Sequence, residues 1–180
     1  MSFLHLKGLR YRINTYLVNK KYAGKLTDKA FEKKRKLLNQ IGYEIGEGTK
    51  IVGPIFCTGK LKIGKNCWIG KNFFLNGNGT VEIGDNCDIA PEVAFQTGGH
   101  IIGDTIRRAG EGIIYSQIVG NGTWIGARAM IINNTSIGNS CVIAAGALVN
   151  KSVEDNTLVG GVPAKIIKDL NDENISSSKE

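Results

Sequence analysis

The sequence predicts an all-β core, a parallel β-helix of hexapeptide repeats, with an N-terminal α-helical segment. Two observations predict it. From Ile45 onward an aliphatic residue recurs every six positions, as in IGEGTK, IVGPIF and IGKNCW, whereas residues 1–40 carry apolar residues at helical spacing. A period of six matches neither the 3.6-residue period of a helix nor the alternation of a hairpin, but it matches coils with three short flat sides.

The N-terminal segment, residues 1–40, is strongly basic. It holds eleven Lys or Arg and two acidic residues, a net charge of +9, whereas residues 41–180 hold twelve and fourteen, a net charge of −2. Such a segment is either the solvated face of helices or a patch for an anionic partner, such as a membrane surface or a phosphorylated ligand. No nucleic-acid motif accompanies the charge, so nucleic acid is not expected as a partner.

Two helices are expected in this segment. The stretch KLTDKAFEKKRKLLNQ predicts one helix with Thr27 or Asp28 as its N-cap. Its helically spaced residues are Ala30, Phe31, Lys34, Leu37 and Leu38. Residues 3–22 predict a second, short amphipathic helix, which carries Phe3, Leu6, Ile13 and Leu17.

Residues 41–170 carry the repeat and are expected to form one β-helix domain of five to six coils, with 171–180 as a polar tail. A two-residue insertion near NGNGTVE shifts the phase, and the repeat lapses from Ile101 to Ile118. Because Phe95 and Val119 are 24 residues apart, four times six, the lapse predicts an excursion from a continuing scaffold. The aliphatic residues are expected inside the triangular coil, each followed by a Gly or Asn corner with left-handed backbone angles.

The four cysteines are expected to be small buried thiols. Cys67, Cys87 and Cys141 each follow a repeat aliphatic by four residues, and the chain has no C-x-x-C pair. No stretch approaches the roughly 18 consecutive apolar residues of a membrane-spanning helix, and the first residues lack the apolar core of a secretory signal. We therefore expect a cytoplasmic protein without a metal site.

Six motifs, in their order and spacing, are typical of one family: NFFLN (72–76), IGDNCDIAP (83–91), TGGH (97–100), GTWIGARAMI (122–131), IGNSCVIAAGALV (137–149) and GGVPAKII (160–167). The chain resembles the hexapeptide-repeat acyltransferases, nearest the maltose, galactoside and xenobiotic O-acetyltransferase group, over about residues 41–170. The resemblance implies a left-handed parallel β-helix, against the general rule of right-handed crossovers. It also implies a homotrimer that binds acetyl-CoA in the groove between adjacent prisms.

His100 stands where the repeat lapses, behind Gly98 and Gly99. A hydroxyl is a poor nucleophile at neutral pH, and an imidazole, which titrates at about 6.5 in general, is suited to take its proton. We expect the two glycines to permit a tight turn and close ligand approach, and the following residues to form a loop that can close a cleft. The resemblance implies that His100 is the general base.

Two further residues are implied by the resemblance as parts of the catalytic site. Asn76, at the end of the NFFLN motif, is expected to hydrogen-bond the reacting acceptor or intermediate. Glu111, eleven residues after His100, is expected to orient the imidazole or to touch the acceptor.

The resemblance also implies which residues contact the coenzyme. The backbone N–H of Ala127, just after the WIG triplet, is the expected donor to the oxyanion of the intermediate. Ala145 and Gly146 are expected to let backbone amides reach the pantetheine arm. The expected phosphate contacts are three lysines near the end of the repeat, acting as point charges: Lys151, Lys165 and Lys168.

These features predict an acetyl-CoA-dependent O-acetyltransferase that acts on a hydroxyl of a sugar or glycan precursor, with a surface polysaccharide at the inner face of the membrane as one candidate. Serine acetyltransferase and amino-sugar N-acetyltransferase remain open alternatives, and so does a non-catalytic trimeric scaffold. Sugar-acetylating members of the family carry several more residues after the NFFLN motif. The coenzyme-binding half of the resemblance is therefore closer than the acceptor-binding half.

Overall fold

The computed structural model describes residues 3–171, and the side chains from residue 8 onward. The chain begins with helix α1 (Phe3–Tyr16), a π-helical turn (Leu17–Lys21) and helix α2 (Asp28–Asn39). No helix in this part of the chain has the length and apolarity needed to cross a membrane. The predicted tail falls almost entirely on residues 172–180, outside the described residues.

The rest of the chain forms a coil with three parallel sheets, one for each flat side. Sheet 1 holds β1 (Glu44–Ile45), β4 (Lys60–Ile63), β7 (Thr80–Ile83), β12 (Ser116–Val119) and β15 (Ser136–Ile137). Sheet 2 holds β2 (Lys50–Ile51), β5 (Trp68–Ile69), β8 (Asp88–Ile89), β13 (Trp124–Ile125), β16 (Val142–Ile143), β18 (Thr157–Gly160) and the antiparallel β19 (Lys165–Asp169). Sheet 3 holds β3 (Ile55–Cys57), β6 (Phe73–Asn76), β9 (Ala94–Gln96), β14 (Met130–Ile132) and β17 (Leu148–Val149). The prediction of a left-handed parallel β-helix with an N-terminal helical segment is confirmed.

The strand register explains both irregularities of the repeat. Along sheet 1, Ile45 pairs with Ile63, Ile63 with Ile83, Ile83 with Val119, and Val119 with Ile137. The first and last of these steps span the 18 residues of one coil. The second step is two residues longer than a coil because of the NGNG insertion. The third step is twice the length of a coil, because the chain leaves the prism as an antiparallel hairpin. The hairpin consists of β10 (Gly98–Ile102) and β11 (Ala109–Ile114).

The repeat aliphatics and the cysteines fill the inside of the prism, as the sequence predicts. Ile69, Ile89, Ile125 and Ile143 stack in sheet 2 with at most 1% of their surface exposed. All four cysteines are buried and free of disulfides. In the stack of thiols, Sγ of Cys67 accepts the N–H of Cys87 at 3.4 Å, so these side chains serve as small core residues that also satisfy backbone groups.

The repeat glycines lie at the corners of the coil, but the left-handed backbone predicted for them is wrong. The glycine directly after each aliphatic is not in the left-handed region; instead, a Cβ on Gly120 would lie 2.5 Å from the carbonyl carbon of Gly138 in the next coil. This glycine is needed because successive coils approach closely. The left-handed residue comes two positions later, for example Asn66, Asn86 and Gly122.

The two helices close the N-terminal end of the prism. Val18, Leu37 and Leu38 join the same buried cluster as Ile45 and Ile51 of the first coil. Thr27 is the N-cap of α2, its hydroxyl accepting the N–H of Ala30, and the five predicted residues are those that α2 buries.

Lys34 is buried within this helical cap, the segment from residue 3 to residue 40. Its Nζ donates to the carbonyls of Lys25, at 3.1 Å, and Val52, at 2.9 Å, so it ties α2 to the first coil. Burial lowers the pKa of Lys34 to about 8, because the charged form loses its hydration.

The N-terminal helical segment packs as predicted at Leu17, which contacts the core, but α1 itself also buries a polar residue that the sequence did not predict. Asn14 is buried and its Nδ2 donates to the carbonyl of Leu37 at 2.8 Å, whereas Ile13 keeps 48% of its surface exposed. The face of α1 that is buried is thus the one that carries Asn14. Because this contact is polar, the spacing of apolar residues does not reveal it. Phe3 and Leu6, predicted on the same face as Ile13, have side chains outside the described residues.

Candidate active site

The hairpin β10–β11 leaves the prism at the edge between sheets 3 and 1. Thr97 and Tyr115 close the base of the hairpin, where the chain leaves the coil and returns to it. The N–H of Tyr115 donates to the carbonyl of Thr97 at 2.9 Å. Beyond this closure nearly every residue of both strands is exposed or half-buried. The predicted excursion is thus a projecting β-hairpin that can face another molecule.

His100 lies on β10 with its imidazole exposed and held by one hydrogen bond. Its Nδ1 is 2.8 Å from the carbonyl oxygen of Gly110 on β11. A carbonyl oxygen only accepts, so Nδ1 carries the proton, and in the neutral ring Nε2 keeps its lone pair. The arrangement gives an oriented imidazole with a proton-accepting nitrogen turned to the outside.

A register shift in the hairpin makes this bond. His100 pairs with Gly112 but Ile102 pairs with Ala109, so two residues of β11, Gly110 and Glu111, stand opposite one residue of β10. Such a bulge disrupts the ladder locally and re-aims backbone groups. The group bound to Nδ1 is therefore the Gly110 carbonyl, and orientation of the imidazole by Glu111 stays a prediction. Contact between Glu111 and an acceptor stays a prediction.

The tight turn expected at the two glycines before His100 is not found, whereas close ligand approach there stays a prediction. Both lie in strand β10, and neither has a left-handed backbone. A Cβ on Gly99 would lie 2.8 Å from the phenol oxygen of Tyr115, and one on Gly98 would lie 3.6 Å from the Cα of Gly77. A side chain at position 99 would thus have to displace the ring of Tyr115, which packs at the base of the hairpin.

Asn76 lies on the same edge of the prism as His100. It ends β6, and its carbonyl accepts the N–H of Thr97 at 2.8 Å, three residues before the histidine. Asn76 also lines a cavity of about 210 Å³ between the helical cap and the coil. The side chains that line it with Asn76 include Tyr11, Thr15 and Asn19 from the cap, and Phe56 and Thr58 from the coil. The cap residues could not be found from the sequence, because their role depends on how α1 is turned.

The predicted coenzyme residues Ala127, Ala145 and Gly146 lie together at another edge, between sheets 2 and 3. They line a groove of about 470 Å³. The N–H of Gly146 donates to the carbonyl of Ala127 at 2.8 Å, whereas within the described residues the N–H groups of Ala127 and Ala145 have no hydrogen-bond partner. An unpaired backbone donor at the wall of a groove is available to a ligand oxygen.

Glu92 and Arg128 complete this groove and were not predicted. Their side chains form an ion pair, Nε of Arg128 to Oε2 of Glu92, at 2.7 Å. Both backbones are left-handed, with φ of 64° and 61°. Elsewhere in the coil this position is mostly Asn or Gly, so a charged residue there was a signal in the sequence.

The three predicted phosphate-binding lysines are not gathered at one place. Lys165 pairs with Gly160, which lies against Ala144 of the coil, and so it is at the edge that carries the groove. Lys168 lies further along β19, opposite Leu158. Lys151 follows β17 and lies at the edge between sheets 3 and 1, which also carries His100. Of these three lysines, Lys165 is the one at the edge that carries the groove.

The outer face of sheet 3 separates the two edges and is apolar. One row of paired residues crosses it from coil to coil: Phe56, Phe74, Ala94, Met130 and Leu148. The corresponding row of sheet 1 is Glu44, Lys62, Glu82, Ile118 and Ser136, which is mostly polar. Sheet 3 is therefore the more apolar of these two sides, and it is flanked by the edge with His100 and the edge with the groove.

Two family models match the coil. Residues 118–151 match the bacterial transferase hexapeptide (six repeats), and residues 60–90 match the hexapeptide repeat of succinyl-transferase. The chain is also 34% identical over 147 residues to the galactoside O-acetyltransferase of Escherichia coli (strain K12), covering 78% of this chain and 70% of that protein.

The chain belongs to the hexapeptide-repeat acetyltransferases. Solved structures of this family share its fold. A hexapeptide-repeat acetyltransferase of Vibrio cholerae O1 biovar eltor, complexed with acetyl coenzyme A, superposes with a TM-score of 0.71 at 26% identity, covering 93% of this chain and 88% of that one. A maltose O-acetyltransferase from Clostridium difficile 630 gives 0.61 at 28% identity, with 95% and 90% covered. The predicted nearest group, the galactoside and maltose O-acetyltransferases, is confirmed.

Membership of the hexapeptide-repeat acetyltransferases makes this chain an acyltransferase. Acyl transfer needs a base for the acceptor and a donor for the oxyanion. The chain supplies an oriented imidazole at one edge and unpaired amides at another. From residue 3 to residue 171, no cluster of three or more His, Cys, Asp or Glu is placed to hold a metal ion.

Proposed function

We propose that this acetyltransferase moves an acetyl group from acetyl-CoA to a hydroxyl of a sugar or glycan precursor, with His100 as general base. The observation that carries the proposal is the hydrogen bond from Nδ1 of His100 to the Gly110 carbonyl, 2.8 Å long, on an exposed hairpin. That bond fixes the ring and leaves Nε2 as a proton acceptor. The family relatives that act on galactoside and maltose support a sugar hydroxyl as the acceptor.

The reaction follows from the order in which charge develops. Nε2 takes the acceptor's proton while its oxygen attacks the thioester carbonyl, and negative charge then forms on the carbonyl oxygen. The N–H of Ala127, which lacks a partner within the described residues, is the donor that meets this charge. When the C–S bond breaks, the thiolate leaves and takes back the proton from His100.

The coenzyme is proposed to lie along the groove between sheets 2 and 3. Ala145 and Gly146 leave room for its narrow pantetheine arm, and Lys165 at the same edge offers a positive charge to its phosphates. Arg128 and Glu92 rim this groove, and the arginine is the second cation available there. Lys168 and Lys151 remain proposed phosphate contacts, Lys151 from the edge that carries His100.

A homotrimer is proposed because the two halves of the site lie on different edges of one prism. Packing three prisms around an axis through their sheet 3 faces would bury the apolar row that includes Phe56, Phe74 and Met130. Each His100 edge would then meet the groove edge of the next copy. The three clefts so formed would each join His100 and Asn76 of one copy to Ala127 of its neighbour.

The acceptor is proposed to enter through the cavity that Asn76 shares with the helical cap. Nine residues of the cap and the coil line it with Asn76; three of them are rings, Tyr11, Tyr43 and Phe56, and none is charged. Such walls suit a neutral sugar ring, which stacks its C–H face on aromatic side chains and hydrogen-bonds at its rim. A precursor of a surface polysaccharide, carried at the inner face of the membrane, is the proposed physiological form.

A screen of acceptors tests the function. Acetyl-CoA and the purified protein are incubated with a panel of neutral sugars, amino sugars and serine, while free thiol is measured and products are weighed by mass spectrometry. We expect thiol release together with a gain of one acetyl group on a sugar hydroxyl. An N-acetylated product or acetylated serine would reject the O-acetylation of sugars, and absence of coenzyme binding by calorimetry would support a scaffold.

A further inference from the structure

The charge of the molecule is segregated along the axis of the prism. The cap and the residues before it carry the net +9 of residues 1–40, whereas everything after residue 40 carries −2. The first acidic residue of the chain is Asp28, so all of α1 and the π-helical turn contain basic residues and no acidic ones. Since the cap packs on the first coils, the positive charge lies at one end of the prism.

Helix α1 adds an apolar stripe to this charge. Leu9, Ile13 and Tyr16 are spaced by four and three residues and so lie on one face of the helix. Their exposed fractions are 53%, 48% and 63%, because the helix instead turns Asn14 inward, towards α2. Nothing in the described chain covers this face.

Basic side chains flank the stripe on the same helix and its continuation. Arg12 stands between Leu9 and Tyr16 at helical spacing, and Lys20 follows Tyr16 by four residues. Four more lysines and one acidic residue, Glu32, which is paired with Lys36, line an open cavity of about 500 Å³ beside α2; the lysines are Lys25, Lys29, Lys33 and Lys36. Apolar residues on one face of a helix, flanked by cations, are typical of helices that lie in the interface of an anionic bilayer.

We propose that the outer face of α1, formed by Leu9, Ile13 and Tyr16 and flanked by Arg12 and Lys20, docks on an anionic lipid bilayer. The proposal rests on the proposed role at a membrane and names the surface that would perform it. Charge complementarity selects the partner, because the segment offers only cations to the headgroups from residue 1 to residue 27. The apolar stripe distinguishes a bilayer from a soluble polyanion, which would use the charge alone.

In the proposed trimer the three caps would lie at the same end, because the prisms run parallel around the axis. Each cap has a short stripe, and one such helix would bind weakly. Three linked caps bind together with a much higher effective affinity than one. The docking would hold the acceptor cavity, which α1 helps to line, next to lipid-linked precursors.

Vesicle flotation with the whole protein tests the proposal. The probes are vesicles of phosphatidylcholine mixed with phosphatidylglycerol, and vesicles of phosphatidylcholine alone, at low and high salt. We expect binding to the anionic vesicles only, weakened by salt because the charges are screened. The variant Arg12→Glu with Ile13→Gln should bind about tenfold less or weaker still, since it loses cationic attraction and apolar insertion.

A matched variant on the coil, Lys60→Glu with Ile118→Gln, is the control. Ile118 is 51% exposed, close to the value of Ile13, so the two variants change similar surfaces in charge and polarity. It should bind vesicles like the wild type. Equal binding by both variants, or no preference for anionic vesicles, would overturn the proposal. Loss of oligomer mass in the α1 variant without any vesicle binding by the wild type would instead make this face a contact between copies.

Two variants distinguish a failure of the proposed catalysis from a failure of the proposed docking. His100→Ala should float with anionic vesicles like the wild type, because the hairpin is on the coil. The α1 variant should release thiol from acetyl-CoA at the wild-type rate with a soluble acceptor. A protein that floats without transferring acetyl groups would thus leave the docking surface standing and reject only the proposed reaction.

Discussion

The coil and the hairpin of this protein differ in how deeply their side chains are buried and in how their strands pair. In the coil, Ile125, Ile131 and Ile143 have at most 1% of their surface exposed, and the strands inside each sheet pair with the coils above and below them. In the hairpin, Ile102 and Ile106 are 83% and 93% exposed, and the two strands pair only with each other. Stability therefore resides in the regular part, and the irregular part is free to present a reactive side chain.

The largest expected effect is on activity, from the hairpin. His100→Ala should lower the rate of thiol release by about 100-fold to 10,000-fold, the usual contribution of a positioned base. Its unfolding temperature should stay at the wild-type value, because the side chain is exposed and its only hydrogen bond within the described residues is to Gly110. Thiol assays and thermal unfolding check both. Normal turnover in this variant would remove His100 from the chemistry.

The next effect is on stability, from the coil. Ile125→Ala should lower the free energy of unfolding by about 2–5 kcal/mol, because it leaves a cavity in a close-packed stack. Ile106→Ala, the same change in the hairpin, should stay within about 0.5 kcal/mol of the wild type. Denaturant unfolding of both variants measures the difference. Similar losses would mean that the hairpin shares the stability of the coil.

Two glycines extend the comparison between the coil and the hairpin to the packing of the backbone. A Cβ on Gly120 would lie 2.5 Å from Gly138 of the next coil, whereas one on Gly112 in the hairpin has no atom within 4 Å. Gly120→Ala should therefore cost about 1–3 kcal/mol of unfolding free energy through overpacking. Gly112→Ala is the matched control and should unfold like the wild type. If both were silent, the coils could separate more easily than the structure indicates.

The smallest effect concerns pH and the helical cap. The pKa of Lys34 is lowered by burial from 10.5 to about 8, so between these values the unfolded chain binds more protons than the folded one. The contribution of Lys34 to stability should thus rise as pH rises through this window, and be lost again as pH falls towards 8. Lys34→Met should lack that rise. Unfolding curves of both proteins across the window give the difference, and identical slopes would contradict the burial of a titrating ammonium.

The scaffold was predictable because each of its elements has a local signal. The six-residue period located the coils, Thr27 located the start of α2, and the slot four residues after an aliphatic placed Cys67 in the core. The lapse of the repeat located the hairpin. These features depend on neighbours that recur at fixed spacing, which is what a sequence displays directly.

The finer features depend on contacts between distant segments and were missed. Asn14 turns α1 through a bond to Leu37, and no spacing rule reports it. The bulge at which the imidazole hydrogen-bonds to the Gly110 carbonyl, and not to Glu111, depends on the register of two strands. The repeat glycines were found but misexplained, because a close approach between coils, like a left-handed corner, selects for glycine.

Mixing two inactive variants tests most directly whether the proposed site is shared between copies. His100→Ala removes the base at one edge, and Ala145→Trp fills the groove at the other. Coexpressed at equal levels with different tags and assembled at random, they should recover about one quarter of wild-type sites, because every mixed trimer joins an intact His100 to one intact groove. Mixed oligomers that carry both tags and release no thiol would contradict a site built from two chains.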